Sequence, residues 1–139
     1  MIGRLQKTVI NCPEPRALAD FYCEILGMRV YESIHGWAAD PRGWVVIGHD
    51  GRKELAFQRA IPWTPPQLAN SRNSVGAHLD IFVDNVDEAE RVVLSLGASR
   101  AGSIHERGFR VFIDPVGHPF CLVFGSEFVT TGDPGPAAG

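Results

Sequence analysis

One unit is written twice in this chain, and that repetition limits the folds open to it more than any other feature. Residues 13–27, PEPRALADFYCEILG, set Leu18, Phe21, Tyr22, Ile25 and Leu26 at helical spacing and so predict one apolar helix face. Pro15 suits the first turn of that helix, and Gly27 suits its C-terminal cap. Residues 84–97, DNVDEAERVVLSLG, repeat the pattern with Val86, Ala89, Val93 and Leu96 as the apolar stripe. Asn85 with Glu88 reads as a capping box there, and Gly97 ends the helix. An alternating strand precedes each helix, LQKTVINC at 5–12 and AHLDIFV at 77–83. Each helix ends in Leu-Gly and runs into an extended stretch, MRVYESI from 28 and ASRAGSI from 98. Two more strands follow in each half: WVVIGH (44–49) and ELAFQRA (54–60), then FRVFI (109–113) and PFCLVF (119–124). Asp50-Gly51 turns the chain in the first half, and Asp114-Pro115 with Gly117 does so in the second.

The order β-α-β-β-β thus occurs twice, at a period longer than that of solenoid repeats, which favours a paired module over an array. The expected fold is α+β, with two βαβββ modules in a single domain spanning 1–129. Module one covers about 4–60, a Pro-rich linker 61–75, and module two about 76–126; residues 130–139 read as a flexible tail. A helix covers one side of each half-sheet. Two half-sheets side by side predict a curved eight-stranded mixed sheet, with helices on the convex side and a concave ligand cleft.

Composition narrows the partners. At 45% hydrophobic and 21% charged, the chain is not of the disordered class. A net charge of −3, a pI near 5.9 and scattered Lys and Arg argue against nucleic acid. The three cysteines, Cys12, Cys23 and Cys121, are odd in number and form no CxxC, so neither a disulfide framework nor a structural zinc knot is expected. No apolar run reaches membrane-spanning length and the N-terminus has no cleavage-like site, so the expectation is a cytoplasmic protein without membrane contact.

Alternation assigns faces to the strands. In HLDIFV, Leu79, Ile81 and Val83 pack on a helix, leaving His78, Asp80 and Phe82 toward the cleft. In KTVINC, Ile10 and Cys12 go to the core, and Lys7, Val9 and Asn11 to the cleft. In LAFQRA, Leu55 and Phe57 go inward and leave Ala56 and Gln58. In PFCLVF, Phe120, Leu122 and Phe124 go inward and leave Cys121 and Val123.

PRALADFYCEILGM, paired with HLDIFVDNVDEAERVVLSLGA and closed by DPVGHPFCLVF, resembles the glyoxalase/bleomycin-resistance/dioxygenase superfamily, also called vicinal oxygen chelate proteins. The resemblance covers roughly residues 5–126. It is nearest to the glyoxalase-like subgroup, in which HLD opens the second half and FCL closes it. The resemblance implies four ligand positions in the metal-using members, commonly His, Glu, His and Glu, on the first and last strands of each half. Here they fall on Lys7 (Gln6 if the register is off by one), Gln58, His78 and Cys121. A cationic Lys repels a metal, Gln is a weak ligand, and His with Cys falls short of the three ligands of a catalytic zinc site. Asp80 does not easily complete the set, since same-face neighbours are roughly 6.5–7 Å apart and it would have to reach along the strand to share an ion with His78. The expectation is therefore no metal and no cofactor, with a divalent metal as the alternative.

The expected site has His78 as acid or base, because imidazole carries protons near neutral pH. Lys7, Gln58, Asp80, Asn11 and Cys121 are expected to contact ligand, and Trp44, Trp63, Phe82 and Phe109 to supply aromatic walls. Each has a blander reading. His78 serves equally as a hydrogen-bonded wall, Cys121 as a small buried filler, and Trp37, Trp44 and Trp63 as packing. His35, His49, His105 and His118 flank turns and are expected to be exposed; Asp87, Glu88 and Glu90 read as a solvated helix face. The function expected is binding or conversion of a small molecule without the usual metal centre. The alternatives are a metal-dependent glyoxalase or dioxygenase-type enzyme, or a drug-binding resistance protein with no catalysis. If an enzyme, the resemblance implies a lyase, isomerase or oxygenase-like member, and it implies a homodimer.

Overall fold

The computed structural model describes residues 1–31, 43–67, 76–106 and 108–125, with only the backbone for 102–106. His35, Trp37, most of the expected linker, the expected tail and the His105 side chain lie outside the described residues. The elements run β1 (Thr8–Cys12), α1 (Pro15–Leu26), β2 (Arg29–Tyr31), β3 (Trp44–His49), β4 (Arg52–Arg59), β5 (Leu79–Phe82), α2 (Val86–Ser95), β6 (Ser99–Glu106), β7 (Phe109–Ile113) and β8 (Pro119–Val123). The βαβββ order occurs twice, as the sequence predicts. Hydrogen bonds group the strands in two four-stranded sheets, ordered β1-β4-β3-β2 and β5-β8-β7-β6. Both are mixed: β1 runs parallel to β4 and β5 parallel to β8, while the other pairs are antiparallel. The chain divides into two compact units. Met1–Pro65 with the turn tip Pro115–Gly117 forms one, and the chain from Pro66 without that tip forms the other.

In the first unit, Pro15 opens α1 and buries its ring, and Gly27 closes the helix at φ 65°, where a side chain would be strained. Leu18, Ala19, Phe21 and Tyr22 are buried, and the Tyr22 ring stacks on Phe57 of β4 with centroids 5.6 Å apart. Burying aromatics of this size contributes about 1.5–3 kcal/mol each. The Asp50-Gly51 turn has φ of 41° and 80°, the left-handed pair a two-residue hairpin needs. A bulge at Gly48 precedes it, and a Cβ there would lie 1.7 Å from the Arg52 carbonyl oxygen.

His49 departs from expectation. It is half-buried, with Nε2 2.9 Å from the Leu26 carbonyl oxygen and Nδ1 2.6 Å from Glu54 Oε2. Both partners accept, so the ring satisfies both only as the imidazolium. The Leu26 carbonyl foremost, then Glu54, raises its pKa above the ordinary imidazole value. A cation at the C-terminus of α1 also offsets the helix dipole.

In the second unit, Asn85 caps α2 by accepting from the Glu88 N–H at 3.1 Å. Phe112 and Phe120 stack at 5.7 Å on the buried face of β7 and β8, and both are fully buried. Glu90 corrects the solvated-face reading of α2. It is buried, and Arg100 Nε donates to its Oε1 at 2.6 Å while Arg110 Nη1 donates to Oε2 at 2.7 Å. Arg110 also pairs with Asp87 at 2.8 Å. Helical spacing alone put Glu90 with its acidic neighbours; the arginines that neutralise it come from β6 and β7. Burial pushes the Glu90 carboxyl up, but the bonds from Arg110 and Arg100 outweigh it and the net pKa is lowered.

Candidate functional site

Strand register decides which side chains share a face. In the first unit, Asn11 pairs with Gln58 and Gln58 with Trp44, so these three form one cross-strand row. The next row on that face is Val9, Ala56, Val46 and Tyr31. The opposite face carries Ile10, Phe57 and Val45 toward α1. The alternation thus reads the first sheet correctly. Asn11 and Gln58 are exposed and Trp44 is half-buried. Lys7 lies one residue before β1, and its Nζ donates to Gln6 Oε1 at 2.8 Å. Trp63 sits in the loop after β4 and donates its indole N–H to the Val116 carbonyl at 2.9 Å.

In the second unit, Asp80 pairs with Cys121 and Cys121 with Val111. Phe82, Val123 and Phe109 form the adjacent row on the same face. Phe82 is 42% exposed, Phe109 half-buried and Val123 buried. Cys121 is also buried, yet its sulfur faces the Asp80 side, while Phe120 and Leu122 fill the α2 side with Phe112.

His78 stands just before β5, not inside it. Its Nε2 lies 3.1 Å from Asp80 Oδ1. The reach along the strand that the sequence reading required of Asp80 is therefore short. The strand repeat of roughly 6.5–7 Å separates Cα atoms of pleated same-face neighbours. A residue at the strand entry is free of the pleat, and two flexible side chains close the remaining gap. Ligand atoms of His78, Asp80 and Cys121 all lie within 4.8 Å of one another. Side-chain parity in the HLD tripeptide was the available signal; the entry position of His78 was the part that alternation did not convey.

Among the described residues no cation lowers the Cys121 thiol as an activating neighbour would. Burial first, then the Asp80 charge and its hydrogen bond, push the Cys121 pKa up to about 11. At neutral pH this group is a thiol that donates to Asp80, not a nucleophile. None of the three cysteines, all of them among the described residues, forms a disulfide. The donor set of imidazole nitrogen, carboxylate oxygen and sulfur fits a borderline-soft divalent cation of the zinc type, and three protein ligands is the number a zinc site with an open position uses. Magnesium and calcium prefer oxygen alone, so the thiol disfavours them.

Two βαβββ modules with polar side chains on one face of the strands define the glyoxalase/bleomycin resistance/dioxygenase class of fold. Within it, residues 7–123 match the Glyoxalase-like domain family, and the chain belongs to that family. Among similar solved structures is a glyoxalase/bleomycin resistance protein/dioxygenase family enzyme from Burkholderia phytofirmans PsJN. It shows 17% identity and a TM-score of 0.64 over 88% of this chain and 98% of that one. The fosfomycin resistance protein FosX from Listeria monocytogenes shows 15% identity and a TM-score of 0.62, over 91% and 96%. The trypanothione-dependent glyoxalase I of Leishmania major shows 19% identity and a TM-score of 0.60, over 88% and 86%. Identities this low establish a shared fold. No curated protein matches the sequence. Among the described residues no helix is long and apolar enough to cross a membrane.

Proposed function

We propose that this chain binds a small polar organic molecule on the open face of β5, β8 and β7 and moves a proton on it through His78. The convergence of His78, Asp80 and Cys121 within 4.8 Å carries this reading. The His78 Nε2–H donates to Asp80 Oδ1 at 3.1 Å, which leaves Nδ1 with the free lone pair. Nδ1 takes a proton from the substrate and returns it to the product, and the Asp80 carboxylate stabilises the imidazolium between the two steps. Cys121 donates to Asp80 and so helps to hold the carboxylate. The Phe82, Val123 and Phe109 row gives the apolar part of a ligand its surface. The first unit, taken by itself, offers a separate polar surface, where Asn11 and Gln58 beside Trp44 supply both donors and acceptors. The fold class includes a fosfomycin resistance protein and a trypanothione-dependent glyoxalase I, each named for a small molecule.

The test has two arms. A thermal-shift screen of small carbonyl, carboxylate and phosphonate compounds identifies a ligand. With that ligand, His78→Ala is expected to lower turnover by about 10²–10⁴-fold with an unchanged melting temperature. Turnover that survives the substitution removes the proton-transfer role. A ligand recovered unchanged, with affinity kept in His78→Ala and lost in Phe82→Ala, assigns the site to binding alone.

A further inference from the structure

We propose that the open face of the second unit selects a small organic cation, an amine or quaternary ammonium on an apolar body, with Asp80 as its counter-ion and Phe82 as its aromatic wall. The inference rests on the reading that this face holds the substrate of His78, and it adds the charge class of that substrate. Three observations carry it. The strands β5, β7 and β8 carry two charged residues, Asp80 and Arg110, and register with bonding sends them to opposite faces. Arg110 turns to Glu90 and Asp87 of α2, while the Asp80 side chain stands on the open face, 58% exposed. The other described cations of this unit are also on the helix side: Arg100 bonds to Glu90, and Arg91 donates to the Asp87 carbonyl at 3.4 Å. Finally, the row next to Asp80 is apolar throughout, with Phe82, Val123 and Phe109, and Phe82 is 42% exposed.

The charge preference follows from what this face can offer. A carboxylate has about four lone-pair positions, so the bonds from His78 and Cys121 leave Asp80 with acceptors to spare. An ammonium donates into them, and the face of the Phe82 ring attracts the same charge through its quadrupole. Asp80 and Phe82 are same-face neighbours on β5, roughly 6.5–7 Å apart, a step that an ammonium and its attached body can span. A neutral ligand keeps only the apolar contact. An anion meets the Asp80 charge on a face where no described Lys or Arg offsets it, so the site rejects it by repulsion. The predicted order of affinity is cation, then neutral, then anion, and salt should compress it by screening Asp80.

Phenethylammonium, phenethyl alcohol and hydrocinnamate share a phenyl body and differ in charge. Each is titrated into the isotope-labelled full chain at low salt, and the amide signals of Asp80, Phe82 and Cys121 report binding by nuclear magnetic resonance. The ammonium is expected to bind about 3–30-fold more tightly than the alcohol, the range that a cation gains over an aromatic face, and the carboxylate more weakly than both. Asp80→Asn should bring the ammonium down to the alcohol, Asp80→Glu should keep the order, and Phe82→Ala should weaken the ammonium. The signals of the core residues Phe112 and Phe120 establish that each variant is folded. The proposal is overturned if the carboxylate binds as tightly as the ammonium, if the order is unchanged in Asp80→Asn, if Phe82→Ala leaves ammonium affinity as it was, or if no saturable shift occurs at these amides. If the order holds but His78→Ala keeps full turnover of the screened ligand, the cation preference stands and the proton-transfer reading falls. If His78→Ala loses turnover and the order is reversed, the proton-transfer reading stands and the cation preference falls.

Discussion

The two units use one module and have furnished it differently. In the first, the open-face row of Asn11, Gln58 and Trp44 is aligned by register, and Lys7 bonds to its own neighbour Gln6. In the second, His78 at the entry of β5, Asp80 and Cys121 gather with their polar atoms within 4.8 Å of one another, and His78 and Cys121 both bond to Asp80. The parallel pairing of first and last strand is the same in both units. A duplicated scaffold therefore holds its strand positions while the side chains on them differ: an aligned row of Asn11, Gln58 and Trp44 in one unit, and a cluster of His78, Asp80 and Cys121 in the other.

The electrostatic ties between helix and sheet differ in the same way. The first unit joins α1 to its sheet through the His49 cation, and the second joins α2 through the Glu90 anion. The two ties respond to pH with opposite sign.

Three measurements press on this comparison. The largest effect is expected in the cores, where the units should behave alike. Phe57→Ala and Phe120→Ala each remove a fully buried stacked ring and should cost about 3–5 kcal/mol in urea unfolding. If one is nearly neutral, the modules are not equivalent scaffolds.

Next comes Glu90→Gln, which should cost about 1.5–3 kcal/mol at neutral pH, the range for a hydrogen bond to a charged group. The folded pKa of Glu90 is depressed, so its contribution is present above the unfolded carboxylate value of about 4.3 and is lost as pH falls through the folded value. The gap between parent and variant should close in acid.

The smallest effect is His49→Ala, about 0.3–1 kcal/mol, because the pair is substantially exposed and screened. The folded pKa of His49 is raised, so its contribution is full below the unfolded value of about 6.5 and is lost as pH rises through the folded value. Its gap should close in alkali, and a gap that grows with pH would show that the ring is not held as a cation.

Much of this protein was legible before any coordinates. Pro15, Gly27 and Asn85 marked helix ends, and the Asp50-Gly51 pair marked a hairpin, because caps and turns depend on a few adjacent residues. Alternation placed Phe57 and Phe120 against helices and Gln58 and Cys121 opposite them, because the strand repeat is two residues regardless of what lies beside it. Glu90 was misread as a solvated position and the bonds of His49 were not foreseen, since their partners come from other strands and from a helix end, which no local pattern names.

The sequence by itself determined the module, its duplication and the face on which each strand residue stands; these follow from short-range periodicity and backbone preference. Only the tertiary structure decided that Asp80 lies beside Cys121 and that His78 leans onto Asp80. Which strand pairs with which is set by packing over the whole sheet, and a side chain at a strand entry is free to turn toward whatever that pairing brings near.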